Sequence, residues 1–254
     1  MRRWIDPLVV AAIGLGAWLV SRPWPGFNSP DSEFYASLAL FGSDVTDRAL
    51  DAGYAWTRLG YIVPVRALTS LLGPWAGFGL WRYLLIVMIA GSVYAVVRMA
   101  STRQLAVVLA ILAALNTVVL SYAGNTYLTG TVMAAISLLL ALACWPLLAS
   151  ARPRWLPALL SGAVVGWLVM TNPYGAFLGL AMWLSVRALG LVRDLRRIRT
   201  AGPDPASSHG LRALGHDAAW ATIGGSSVFT VLLLAGLVVF PGRNWLATYL
   251  GWNS

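Results

Sequence analysis

The chain has no lysine: all 18 of its basic residues are arginine, and it carries nine acidic residues, two histidines and one cysteine. No local chemistry would bar lysine from every site, so its absence reads as codon bias of a GC-rich genome. A single cysteine, Cys144, excludes an intramolecular disulfide and a cysteine-based zinc site. His209 and His216 lie in a polar segment far from the other candidate residues and receive no role. The sequence contains no Walker motif, no glycine-rich dinucleotide turn after a strand and no Ser-His-Asp pattern. It also shows no internal repeat.

What is abundant is apolar. Fifty-nine per cent of the 254 residues are hydrophobic and 11% are charged. A soluble chain of this length lacks the core volume to hide so much apolar surface, so lipid must cover the remainder. The apolar residues fall in runs of roughly 20, the length a helix rising 1.5 Å per residue needs to cross ~30 Å of hydrocarbon. The expected fold is therefore an all-α integral membrane domain occupying residues 1–254. The net charge of +9 invites a nucleic-acid reading, but the arginines cluster at the ends of apolar runs, as membrane topology requires. The 13 Trp and 9 Tyr likewise suit interfacial belts better than a nucleic-acid platform. No nucleic-acid partner is expected.

The runs are Pro7 to Val20, Leu80 to Val97, Leu105 to Tyr122, Thr129 to Leu148, Trp155 to Met170, Tyr174 to Val192 and Trp220 to Phe240, which predicts about seven membrane-spanning helices. Arg2 and Arg3 precede the first run as in a signal peptide, but no small-x-small cleavage pattern follows, so this segment is expected to stay as an uncleaved first helix. The positive-inside rule places the N-terminus in the cytoplasm, together with Arg98, Arg103, Arg152, Arg154 and the arginine-rich 193–217 loop. Gly202-Pro203-Asp204-Pro205 and Ser207-Ser208 mark that loop as a linker. The short stretch Tyr61 to Leu72, interrupted by Pro64 and Arg66, must then lie on the outer surface, because counting it as a crossing would put Arg98 and Arg103 outside. Residues 21–79 become an outer loop with amphipathic interfacial helices. The C-terminus, Pro241 to Ser254, falls outside the cell, and the location is the plasma membrane.

Five of the nine acids, Asp31, Glu33, Asp44, Asp47 and Asp51, sit in that outer loop. The last three read as a solvated helix face around Arg48. Asp31 and Glu33 open an amphipathic helix in Ser29-Pro30-Asp31-Ser32-Glu33-Phe34-Tyr35. Two readings of Asp31 stand. Ser29 or Asp31 caps the helix, with Pro30 in its first turn and carboxylates favoured by the helix dipole. Or Asp31 is a carboxylate at a cavity mouth, able to accept a proton from a hydroxyl nucleophile.

Asp31-Ser32-Glu33-Phe34-Tyr35-Ala36-Ser37-Leu38-Ala39 resembles the acidic motif after the first helix of GT-C membrane glycosyltransferases, in the branch similar to protein O-mannosyltransferases and aminoarabinose transferases. Gly60-Tyr61-Ile62-Val63-Pro64, Leu71-Leu72-Gly73-Pro74 and Leu80-Trp81-Arg82-Tyr83-Leu84 resemble, in the same order, that branch's outer-surface helix and Arg-bearing second span. The resemblance covers roughly residues 1 to 130 and is one of pattern order more than identity. Ser32 separates the acids, which are usually adjacent in the family, and Pro64 alone stands for its Pro-Pro-Leu-type motif. Members have more helices, so the chain is expected to match their front portion, as a fragment, a split subunit or a degenerate relative.

The resemblance implies sugar transfer on the outer leaflet, from a polyprenyl-phosphate donor in the membrane lipid to a hydroxyl acceptor. It makes Asp31 the base, with Glu33 either orienting it or joining it on a divalent cation. Arg58, Arg66 and Arg82 are the candidate partners of the lipid phosphate, Arg suiting phosphate through its planar fork of donors, with snorkelling to headgroups as the alternative for Arg66 and Arg82. Tyr61 is placed to stack on sugar. Asn125 and Tyr127, and Asn172 and Tyr174, combine an amide with an aromatic in two outer turns, suited either to sugar hydroxyls or to ordinary turn and interface chemistry. Arg243 follows the last run as a further phosphate contact or an anchor. The alternative to an enzyme is a non-catalytic membrane subunit or scaffold of a cell-envelope complex, and either reading admits a second membrane chain supplying missing helices. Ion-coupled transport is disfavoured because the runs hold almost no acids.

Overall fold

The structure is a computed structural model that describes residues 5–21, 30–42, 58–124, 128–148, 155–201 and 209–240. Among these it is helical, without strands. In chain order the helices are α1 (Ile5–Val20), α2 (Pro30–Phe41), α3 (Leu59–Leu72), α4 (Pro74–Ala100), α5 (Arg103–Ala114), α6 (Thr117–Gly124), α7 (Thr129–Leu148), α8 (Trp155–Val169), α9 (Pro173–Ala201) and α10 (His209–Val239).

Length and apolarity suit three of them, α4, α7 and α10, for crossing a bilayer. The α5–α6 pair qualifies as a fourth if it is one span bent by 56°. The apolar helices Asp6–Val20 and Trp155–Val169 are shorter, so the described helices meet the length test for fewer than the seven crossings expected. Only 17% of the apolar stretch in Gly215–Val239 is buried, and Val231, Leu234 and Val238 are 64%, 59% and 82% exposed. Apolar surface without protein cover on helices of this length is consistent with a membrane location.

Each break has a local cause. The run expected as one span from Leu105 to Tyr122 divides at Leu115-Asn116, where the Asn116 side chain accepts hydrogen bonds from the Val118 and Val119 N–H groups and so caps α6. Thr102 caps α5 by accepting from Leu105 N–H. Gly73, at φ +81°, ends α3, and Pro74 begins α4. The segment read as a 193–217 linker carries helix at both ends, since α9 continues to Ala201 and α10 begins at His209.

Two helix systems share the molecule. α1 packs on α4 and α5, and α4 packs on α5 and α7, around Ile86, Ala90, Ala106 and Ala110. α8 packs most closely on α10, and α9 leans on α7 and α8. The α8–α10 contact relies on small residues: a Cβ added at Gly162 or Gly224 would collide with the Ala221 or Leu159 carbonyl oxygen of the facing helix. Small residues permit this backbone approach where apolar side chains gain nothing over lipid. α2 and α3 lie across one end of both systems. Tyr35, Leu38, Leu59, Tyr61 and Ile62 form a buried cluster there with Phe78, Leu128, Met170, Leu232 and Phe240. At the opposite end Asp6, at the start of α1, forms an ion pair with Arg103 at the start of α5 (3.2 Å).

Candidate functional site

The site is built where α3 meets the C-terminal end of α8. A helix leaves its last carbonyls without intrahelical donors, and here α3 supplies some. Gly60 N–H donates to Met170 O (2.7 Å), and an Arg58 guanidinium nitrogen donates to Thr171 O (3.2 Å). Trp167 Nε1–H returns a bond to Gly60 O (2.6 Å). The approach is so close that a Cβ at Gly60 would collide with Thr171 Oγ1 and stand 2.8 Å from the Trp167 carbonyl oxygen. Only glycine fits there.

Above this junction an aromatic row runs from α2 through α3 and α4 to α8. The Tyr35 and Tyr61 rings lie 6.4 Å apart, Tyr61 and Trp81 6.3 Å, and Trp81 and Trp167 6.3 Å, all edge-to-face. This is the geometry that ring quadrupoles favour. Tyr61 is 1% exposed, and its hydroxyl has no hydrogen-bond partner among the described residues; nor has the buried Nε1 of Trp81. Burial pushes the Tyr61 phenol well above its ordinary value, so the group is neutral. Two buried donors beside four aromatic rings suit a ligand with both a hydrophobic ring face and hydroxyl acceptors.

The arginines have partners that sequence reasoning missed. Arg58 and Arg82 are each 6% exposed. Arg58 reaches the end of α8, and Arg82 donates to Leu120 O, midway along α6 (3.4 Å). Arg66 lies over Gly42, at the C-terminal end of α2. Cations at helix C-termini are favoured by the helix dipole. Arg58 and Arg66 thus stand beside helix ends and Arg82 beside an α6 carbonyl, which gives each of the three a structural task.

Asp31 and Glu33 both belong to α2, where positions two apart face opposite sides. Position 31 falls one turn before buried Tyr35 in the helical register, whereas Glu33 is exposed. The Asp31 side chain itself lies outside the described residues. Among the described residues no group of three acidic, histidine or cysteine side chains suited to a metal occurs.

The expected outer turn at Asn172 and Tyr174 adjoins the junction. Asn172 Oδ1 accepts from Tyr174 and Gly175 N–H and caps α9, while Tyr174 is 86% exposed. Asn125, Tyr127, Arg243, Asp44, Asp47 and Asp51 lie outside the described residues. Trp81 and Trp167 were missed as site residues. Trp81 adjoins the quoted Arg82, but Trp167 sits inside an apolar run and its contact with Gly60 spans 107 positions.

No protein-family model matches the chain, and neither a curated protein nor a solved structure is significantly similar to it.

Proposed function

We propose that this chain is a plasma-membrane protein of about seven crossings, N-terminus inside, that carries a GT-C-type glycosyl-transfer site on its outer face. The observation that carries this reading is the convergence at one end of the molecule. There α2 and α3 of the long 21–79 segment meet the α8–α9 turn and α6 at Leu120 around Tyr35, Tyr61, Trp81, Trp167, Arg58 and Arg82. These segments were assigned to one side from charge alone. The Asp6–Arg103 pair, assigned to the other side, stands at the opposite end.

In this reading a polyprenyl-phosphate sugar enters from the bilayer. Asp31 accepts the proton of an acceptor hydroxyl as its oxygen bonds to the anomeric carbon. The bond from that carbon to the phosphate oxygen breaks, and the lipid phosphate leaves with the electron pair. Arg58 and Arg82 provide positive potential for the leaving phosphate, and the aromatic row supplies ring faces for the sugar. The test is consumption of labelled polyprenyl-phosphate sugar by membranes containing the chain. Asp31→Asn is expected to lower turnover by a factor of 10² or more, the scale of general-base catalysis. Normal turnover by well-expressed Asp31→Asn would remove the catalytic assignment.

A second reading is favoured by the contacts of Arg58 and Arg82 with backbone carbonyls. In a non-catalytic subunit these arginines serve only to fasten α3 and α6. That reading expects co-purification with a second membrane chain and indifference to Asp31 and Glu33.

A further inference from the structure

α5 and α6 are two halves of one apolar run, and the gap between them is open on one side. In an unbroken helix the Ala114 and Leu115 carbonyls would accept from the Val118 and Val119 N–H groups. Both N–H groups turn instead to the Asn116 side-chain oxygen (2.9 and 3.4 Å), and no other donor among the described residues reaches those carbonyls. The NH2 group of the same amide donates to nothing among the described residues, and Leu115, Asn116 and Thr117 are exposed. The gap therefore holds a free donor and free acceptors one residue apart.

The depth of the gap decides what covers it. α5 has 12 residues, so the gap lies about 18 Å along the helix from Arg103. With Arg103 at the cytoplasmic surface, that is inside a hydrocarbon core of ~30 Å. Hydrocarbon satisfies neither the carbonyls nor the amide, and irregular backbone at this depth persists only where protein or a water-filled cavity covers it. A water-filled cavity does not suit the flanks. Val108, Leu112 and Leu115, spaced four and three apart, form an exposed apolar stripe that runs along α5 into the gap, and Val118 just beyond it is exposed as well. The cover that fits is a membrane helix carrying polar atoms at this one level.

A second copy of the chain in the same orientation meets that requirement. Its own gap lies at the same depth and carries the same donor and acceptors. A two-fold axis along the membrane normal makes such a face self-complementary.

We propose that the chain pairs with a second copy of itself through the exposed α5–α6 face, the Asn116 amide of each copy donating to the Leu115 carbonyl of the other. The proposal rests on the bent α5–α6 pair being one crossing, as in the topology above, and not on sugar transfer.

The test mixes full-length chains carrying donor and acceptor dyes in phosphatidylcholine vesicles and follows energy transfer as added lipid dilutes the protein. The chain has no lysine, so amine-reactive dyes attach at the N-terminus alone. Transfer above that of random mixing is expected, fading at a defined protein-to-lipid ratio. Asn116→Ser keeps an oxygen able to cap α6 but withdraws the NH2 group. It should raise that ratio about tenfold, the scale of two hydrogen bonds between membrane helices. Leu112→Trp, at an exposed position of the stripe, should raise it too, whereas Leu234→Trp on the exposed face of α10 should not. Random-mixing transfer at every dilution overturns the proposal, as does pairing that neither Asn116→Ser nor Leu112→Trp weakens. The crossing is checked separately in a Cys144→Ser background, with single thiols at the exposed positions Gln104→Cys and Tyr122→Cys. An impermeant maleimide should label Tyr122→Cys in intact cells and Gln104→Cys only after permeabilisation. That pattern without energy transfer refutes the pairing alone; labelling of both from one side makes α5–α6 re-entrant and overturns the crossing and the pairing together.

Discussion

Gly60→Ala tests the junction of α3 with α8 through a single methyl group. The new Cβ would collide with Thr171 Oγ1 and stand 2.8 Å from the Trp167 carbonyl oxygen, so α3 must move off α8. Movement loosens two long-range hydrogen bonds, Gly60 N–H to Met170 O and Trp167 Nε1–H to Gly60 O. At about 1 kcal/mol net for each bond and about 1–3 kcal/mol for overpacking, less up to about 1 kcal/mol gained from alanine's helix preference, the net loss is about 2–5 kcal/mol. Gly16→Ala is the matched control: it lies in α1 with no atom within 4 Å of the added Cβ and should be neutral or slightly stabilising. The assay is reversible denaturation in mixed detergent micelles, followed by tryptophan emission. If Gly60→Ala is no less stable than Gly16→Ala, α3 does not dock on α8 as described.

Three further outcomes follow from the same geometry. Asp217→Asn removes the carboxylate of an ion pair with Arg187 that is only 10% exposed and should cost several kcal/mol, on the scale of about 3–5 kcal/mol for breaking a buried pair. Asp6→Asn acts on a pair 31% and 48% exposed and should cost less than about 1 kcal/mol in the same denaturation experiment. Burial raises the Tyr61 phenol above its unfolded value near 10, so its contribution to stability is constant below about pH 10 and is lost as pH rises beyond it. Melting temperatures from pH 8 to 11.5 should therefore fall more steeply for the wild type than for Tyr61→Phe. At neutral pH Tyr61→Phe should be as stable as the wild type or more so, because the hydroxyl it removes has no partner among the described residues.

The long elements were legible because they obey local rules. Thr129 to Leu148 was read as an apolar run and is α7; Leu80 to Val97 lies within α4; Gly73-Pro74 marks the end of α3 and the start of α4. Pro30 opens α2, as a first-turn proline should. The break at Leu115-Asn116 was missed because hydropathy continues across it; only the capping amide of Asn116 marks it. The candidate site was legible in part. Tyr61, Arg58 and Arg82 were singled out and do gather at one end, but the partners of the two arginines are carbonyls 113 and 38 positions away, which no periodicity announces. Trp167 and the Arg187–Asp217 pair were illegible for the same reason. Asp31 and Glu33 were singled out and share α2, with the Asp31 side chain outside the described residues.

The account turns on the side of the membrane that α3 occupies, since the aromatic row, Arg58 and Arg82 go with it. Cys144 is the single native cysteine, so Ser70→Cys in a Cys144→Ser background places one thiol on an exposed position of α3. A membrane-impermeant maleimide should label this variant in intact cells. Labelling that appears only after the membrane is permeabilised would put α3 in the cytoplasm and contradict the outer-face site.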